Sequence, residues 1–120
     1  MTFKLGSYKT ANSLLKAVLK LFTNERARWI KDDFEEEKTI KGKLTTCFCL
    51  AGAIQKGAAT DAVKNEAFAK IVSVLPKKYR GPKKYRDPGE ENIWNIAAYN
   101  DVQRRRVDDI IGTLELAVVK

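Results

Sequence analysis

The side chains whose type and spacing could do chemistry in this chain are mostly cations. Positions 77–86 read Lys77-Lys78-Tyr79-Arg80-Gly81-Pro82-Lys83-Lys84-Tyr85-Arg86, with Lys-Lys-Tyr-Arg occurring twice, six residues apart. Six of these ten residues are cationic, and Tyr79 and Tyr85 are interleaved with them. Lysine and arginine neutralise phosphates and release counterions, and an exposed aromatic ring can stack on an unpaired base. A second cluster, Arg104-Arg105-Arg106, falls where a helix should begin. Cations there oppose the helix dipole at about 0.3–1 kcal/mol each when exposed, which hints at a partner that needs the charge. Asp108 and Asp109 offset part of that cost. The rival reading of the loop is a solvated segment whose tyrosines fold back on the core. The rival reading of the arginines, and the favoured one, is salt bridging within the fold to the acidic run Asp32, Asp33, Glu35, Glu36 and Glu37.

Other chemistry is poorly supplied. Histidine is absent, which removes Ser-His and Cys-His pairs and any His-ligated metal. Cys47 and Cys49 lack the further ligands that a zinc site needs, and on an apolar segment they read as buried thiols. The acidic run lacks the order of a calcium loop and reads as a solvated face. Asn100-Asp101 has the residue types for catalysis, but Asp also caps helices and bonds its own backbone at turns, so a structural role is favoured. Trp94 and Tyr99 read as core residues first. No catalytic residue, metal or cofactor is expected. A deep pocket lined by Asn100, Asp101 and Cys49 is the arrangement that would restore an enzymatic reading.

The whole chain sets the bounds. Its 120 residues make a single domain, 1–120, large enough to fold without staples. Its net charge of +8 favours acidic partners, namely nucleic acid or an acidic protein surface. No run of 18 apolar residues occurs, so no membrane role is expected, and the first residues lack the order of a signal peptide. A cytoplasmic protein with reduced cysteines is the default expectation.

The elements that must position these residues follow from periodicity. Leu14, Leu15, Val18, Leu21 and Phe22 predict a helix over 11–22, capped by Thr10 or Asn12, with a short turn after it. Trp29 to Lys43 fits neither period, and a small β-hairpin at 29–43, closed near Gly42 or in the acidic run, competes with a polar helix. Cys47, Leu50, Ala51, Ile54 and Ala58 share a helical face, and the opposite face is weakly apolar too. That predicts a central, buried helix at 46–57 capped by Thr45 or Thr46, with Gly52 and the alanines admitting close neighbours. Thr60-Asp61 opens a helix with Val63, Ala67, Phe68, Ile71, Val72 and Leu75 on its core face and Pro76 beyond its end. Prolines hold the basic stretch in a loop through Pro88-Gly89. Glu90 and Glu91 open the next helix, Asn100-Asp101 breaks it, and a last helix from about 103 to 119 carries the stripe Val107, Ile110, Ile111, Leu114 and Val118. The fold class is mainly α: about five helices packed around the 46–57 helix.

Three short motifs carry a resemblance. They are Leu14-Leu15-Lys16-Ala17-Val18 leading to Trp29, then Cys49-Leu50-Ala51-Gly52-Ala53-Ile54, then Tyr99-Asn100-Asp101 before the C-terminal helix. The chain resembles a family of small, uncharacterised bacterial and phage proteins, and the match runs in order through most of its length. The family brings no function with it. Its pattern has Trp where this chain has Tyr99, and an Arg-Thr pair where this chain has Arg104-Arg105-Arg106. The pattern gives no reason to expect the basic loop at 77–86. Function is therefore sought in the basic segments. The expectation is a small, non-enzymatic module contacting nucleic acid through Lys77, Lys78, Tyr79, Arg80, Lys83, Lys84, Tyr85 and Arg86 together with Arg104, Arg105 and Arg106. The alternative is a phage-type inhibitor that docks on a host defence complex, as an anti-CRISPR protein does. An enzyme ranks last.

Overall fold

A computed structural model describes residues 3–80 and 88–119. Five helices carry the fold: α1 (Ala11–Asn24), α2 (Leu50–Gly57), α3 (Asp61–Val74), α4 (Pro88–Asn100) and α5 (Val107–Val118). One antiparallel hairpin, β1 (Glu35–Ile40) with β2 (Lys43–Phe48), precedes α2. The mainly helical class and the small hairpin agree with the sequence.

The apolar stripes meet in one core. Leu14, Leu15, Val18, Leu21 and Phe22 of α1 are buried, as are Val63, Ala67, Phe68 and Ile71 of α3 and Ile110 and Leu114 of α5. Helix α1 packs on α2, α3 and α5, and α3 packs on α4 and α5. Thr10 caps α1, its hydroxyl accepting from the Ser13 N–H at 3.1 Å, and Thr60 caps α3 through the Val63 N–H at 3.2 Å. Helix α2 lies within the core: Leu50, Ala51, Ala53 and Ile54 are all wholly buried.

The central helix begins at Leu50, not at 46, and Cys47 belongs to a strand. Thr45, Thr46 and Phe48 are β-branched or aromatic, and pairing with β1 decides their conformation. Cys49 takes the capping role, its Sγ accepting from the Gly52 N–H at 3.3 Å. The hairpin turns at Lys41-Gly42, where φ is 52° and 79°, as a two-residue I′ turn needs. Its register pairs Ile40 with Lys43 and Glu35 with Phe48. What approaches Gly52 is a strand lead-in rather than a helix: a Cβ there would sit 1.9 Å from the Phe34 carbonyl oxygen. The last helix is shorter than expected, starting at Val107 because residues 101–106 cross from α4 as a turn. Pro88 opens α4 instead of staying in the loop, a place where its missing N–H costs nothing. Trp94 is 42% exposed, not core, and tilts against Phe34 with ring centroids 5.8 Å apart.

Candidate functional site

The first basic segment leaves α3 through the buried Leu75 and the exposed Pro76, then tightens into a 3-10 turn at Lys77–Tyr79. Lys77, Lys78 and Arg80 are exposed, and Tyr79 is half-buried. The Tyr79 ring meets Tyr99 edge-on, with centroids 5.4 Å apart and planes at 85°. The Lys78 ammonium lies 5.2 Å from the Tyr79 centroid. Tyr99 is itself buried, and its hydroxyl shares a 2.9 Å hydrogen bond with that of Thr113 on α5.

The second segment folds onto the same tyrosine. The Arg105 guanidinium sits 3.8 Å over the Tyr99 ring, and its Nε donates to the Tyr99 carbonyl at 2.9 Å. Such a cation–π contact adds about 0.5–2 kcal/mol, depending on burial. Lys78, Tyr79, Tyr99 and Arg105 thus form one column that joins the two basic segments. Arg104 and Arg106 are exposed on either side of Arg105. The Arg106 N–H donates to Asp109 Oδ2 at 2.9 Å, so Asp109 secures the start of α5. Asp108 pairs with Arg26.

Among the described residues, no ion pair joins Arg104, Arg105 or Arg106 to the acidic run. Glu35 pairs instead with Lys56 at 3.0 Å and Glu36 with Lys38 at 4.0 Å. The internal salt bridging expected from the sequence is not formed, because Arg105 is held by Tyr99 and its neighbours project outward. No ion pair among the described residues involves Lys77, Lys78 or Arg80 either. Lys83, Lys84, Tyr85 and Arg86 lie outside the described residues.

The residues with catalytic potential are engaged in the fold. Asn100 is wholly buried, and its carboxamide uses its full bonding capacity. Its Oδ1 accepts from Trp29 Nε1 at 2.6 Å and from the Leu50 N–H at 3.0 Å. Its Nδ2 donates to the Ile30 carbonyl at 3.0 Å and to Asp101 Oδ1 at 2.9 Å. The same Asp101 oxygen accepts from the Asp32 N–H at 2.9 Å, where Asp32 stands at φ 68°. One side chain therefore ties the lead-in to the hairpin, the start of α2 and the end of α4.

Beside this hub lies a small cleft of about 170 Å³, reached by Asp101, Cys49, Asp32 and Trp94. Asn100 lies behind it, not in it. Burial pushes the Cys49 thiol up to about 11, against a smaller opposing effect of the Gly52 N–H. At neutral pH it is a protonated cap and not a nucleophile. Burial also raises Cys47, with Lys38 and Arg28 pulling the other way. Among the described residues no cluster of three acids or cysteines is placed to hold a metal.

Sequence reasoning missed two features. One is the reach of Asn100, whose partners Trp29 and Leu50 are 71 and 50 residues away. The other is Asn95, one turn before Tyr99 on α4, which is buried with neither side-chain polar atom hydrogen-bonded among the described residues. No local pattern marks either.

The structure also supplies a setting for the three motifs. Trp29, Leu50 and Asn100-Asp101, one or two residues of each motif, meet at the carboxamide hub. No helix among the described residues is long and apolar enough to cross a membrane. No curated protein and no solved structure matches the chain. A family model does, over residues 7–119, and the chain belongs to that family, DUF6197, a family of unknown function.

Proposed function

We propose that the protein is a non-enzymatic module that grips the phosphate backbone of nucleic acid. The contacts are Lys77, Lys78, Arg80, Lys83, Lys84 and Arg86 from one segment and Arg104 and Arg106 from the other. The observation that carries this reading is the Lys78–Tyr79–Tyr99–Arg105 column, which joins the two basic segments and leaves Lys77, Arg80, Arg104 and Arg106 exposed. Two separate stretches of charge become one positive surface, and a phosphate backbone is the partner such a surface fits.

The column also refines the mode of contact. Tyr79 and Tyr99 spend their rings on each other and on cations, so neither is a free platform for a base. Binding through charge rather than stacking is insensitive to sequence and takes duplex as well as single strands. The test is fluorescence anisotropy with labelled DNA and RNA oligonucleotides. Wild type binds with micromolar affinity, and replacing Lys77, Lys78, Lys83 and Lys84 together with alanine abolishes binding while the circular dichroism spectrum stays unchanged. Undiminished binding by that variant sinks the proposal. A protein partner that survives nuclease treatment of a host lysate, with no binding to free nucleic acid, replaces it with protein docking on the same cations, as an inhibitor of a defence complex would use them.

A further inference from the structure

A cavity far in sequence from the basic column lies between the N-terminal hook, residues 3–9, and α1. It measures about 430 Å³, within the roughly 300–1,000 Å³ of small-molecule sites. The hook is fixed in place before any ligand arrives. Gly6 N–H donates to the Lys56 carbonyl at 2.7 Å, Tyr8 N–H to the Gly57 carbonyl at 3.1 Å, and Ala59 N–H to the Tyr8 carbonyl at 2.9 Å. Phe3 and Tyr8 then stack with centroids 5.4 Å apart and form one wall. Gly57 makes room for them, since a Cβ there would fall 2.8 Å from the Phe3 ring. The other wall is one face of α1, with Ala17 and Leu21 as its apolar part.

The rim is polar and of one dominant sign. Among the described residues Lys4, Lys16 and Lys20 line it with one acid, Glu25, and Glu25 is already paired with Arg28 at 3.4 Å. Lys4 from the hook and Lys16 from α1 both line the groove, so a carboxylate seated there meets both ammonium groups. We propose that this groove binds a small amphipathic anion, an apolar tail between Phe3, Tyr8, Ala17 and Leu21 with a carboxylate held by the lysine rim. The site shares no residue with the basic column and stands independently of the nucleic-acid reading.

Decanoate is the probe, titrated into the full chain by calorimetry and by amide NMR. One saturable site is expected, with shifts centred on Ala17 and Leu21. Decyltrimethylammonium, which has the same tail and the opposite charge, binds at least about tenfold more weakly, a difference that one lost charge-assisted contact accounts for. Ala17→Phe, which fills the groove, removes decanoate binding. Lys4→Gln with Lys16→Gln weakens it about tenfold. Equal binding of the two amphiphiles, shifts elsewhere in the protein, or no saturation overturns the proposal. So does flotation with anionic phosphatidylglycerol vesicles in the absence of decanoate binding, which would assign the rim to a membrane surface. Should Ala17→Phe fail to fold, the wild-type NMR map and the opposite-charge comparison decide alone.

Discussion

Replacing Asn100 with leucine should remove a large part of the protein's stability. The substitution deletes four hydrogen bonds at once. Two of the abandoned partners, the Leu50 N–H and the Ile30 carbonyl, belong to buried residues. Each costs about 1–3 kcal/mol when left unpaired, and together they cost roughly 2–6 kcal/mol. Trp29 is only half-buried and can turn to water, so its loss is smaller. The added apolar burial of leucine returns about 1 kcal/mol. A net loss of about 3 kcal/mol follows, against the roughly 5–15 kcal/mol that a domain commands. Urea unfolding followed by tryptophan fluorescence reads it directly. With a slope of about 1–3 kcal/mol per molar, the midpoint falls by roughly 1–3 M. Asn100→Asp adds a pH arm. A carboxyl buried beside Asp101 has its folded pKa raised, so its contribution is present at low pH and is lost as the pH rises through that value. That variant should therefore be closer to wild type at pH 4 than at pH 7. A midpoint for Asn100→Leu within about 0.3 M of wild type would refute the idea that this carboxamide binds the three segments together.

Other outcomes follow from single contacts. Gly52→Ala places a methyl 1.9 Å from the Phe34 carbonyl oxygen, which cannot yield without moving β1, and thermal unfolding should show a loss of at least about 1–3 kcal/mol. Cys49 holds its proton up to about 11, against an ordinary value of 9.0. Its raised folded pKa means that its contribution is complete below pH 9 and is lost as the pH rises towards 11. Wild type should then lose roughly 2–3 kcal/mol more than Cys49→Ser over that window in urea titrations. Asn95→Leu removes two unpaired buried polar atoms and should raise stability by about 1–3 kcal/mol; a fall would mean that Asn95 has a partner.

Much of the fold was legible because its signals are local. The stripe from Leu14 to Phe22 repeats at helical spacing, Thr10 and Thr60 stand where caps belong, and Ile110 and Leu114 mark the inner face of α5. The hairpin was only half visible. Lys41-Gly42 has turn chemistry, but β1 is Glu-Glu-Glu-Lys-Thr-Ile, whose solvent-facing acids show no apolar alternation. Without a visible partner strand, Cys47 fell into the helical pattern of Leu50 and Ile54. The pairing that overrules that pattern is tertiary. The candidate site divides in the same way. Its cations could be read from composition, but their union through Tyr79, Tyr99 and Arg105 depends on how α3, α4 and α5 pack. The turn at Asn100-Asp101 was evident, whereas its bonds to Trp29 and Leu50 span most of the chain.

The central claim is that exposed cations of the two basic segments act as one phosphate-binding surface. The salt dependence of nucleic-acid affinity tests it most directly. Each phosphate contact contributes a slope of about −0.9 in log K against log salt, so the eight proposed contacts together give roughly −7. Arg104→Ala with Arg106→Ala should make the slope shallower by about 2, and so should Lys77→Ala with Lys78→Ala. A slope near zero for wild type, or a slope that either pair leaves unchanged, would contradict the account.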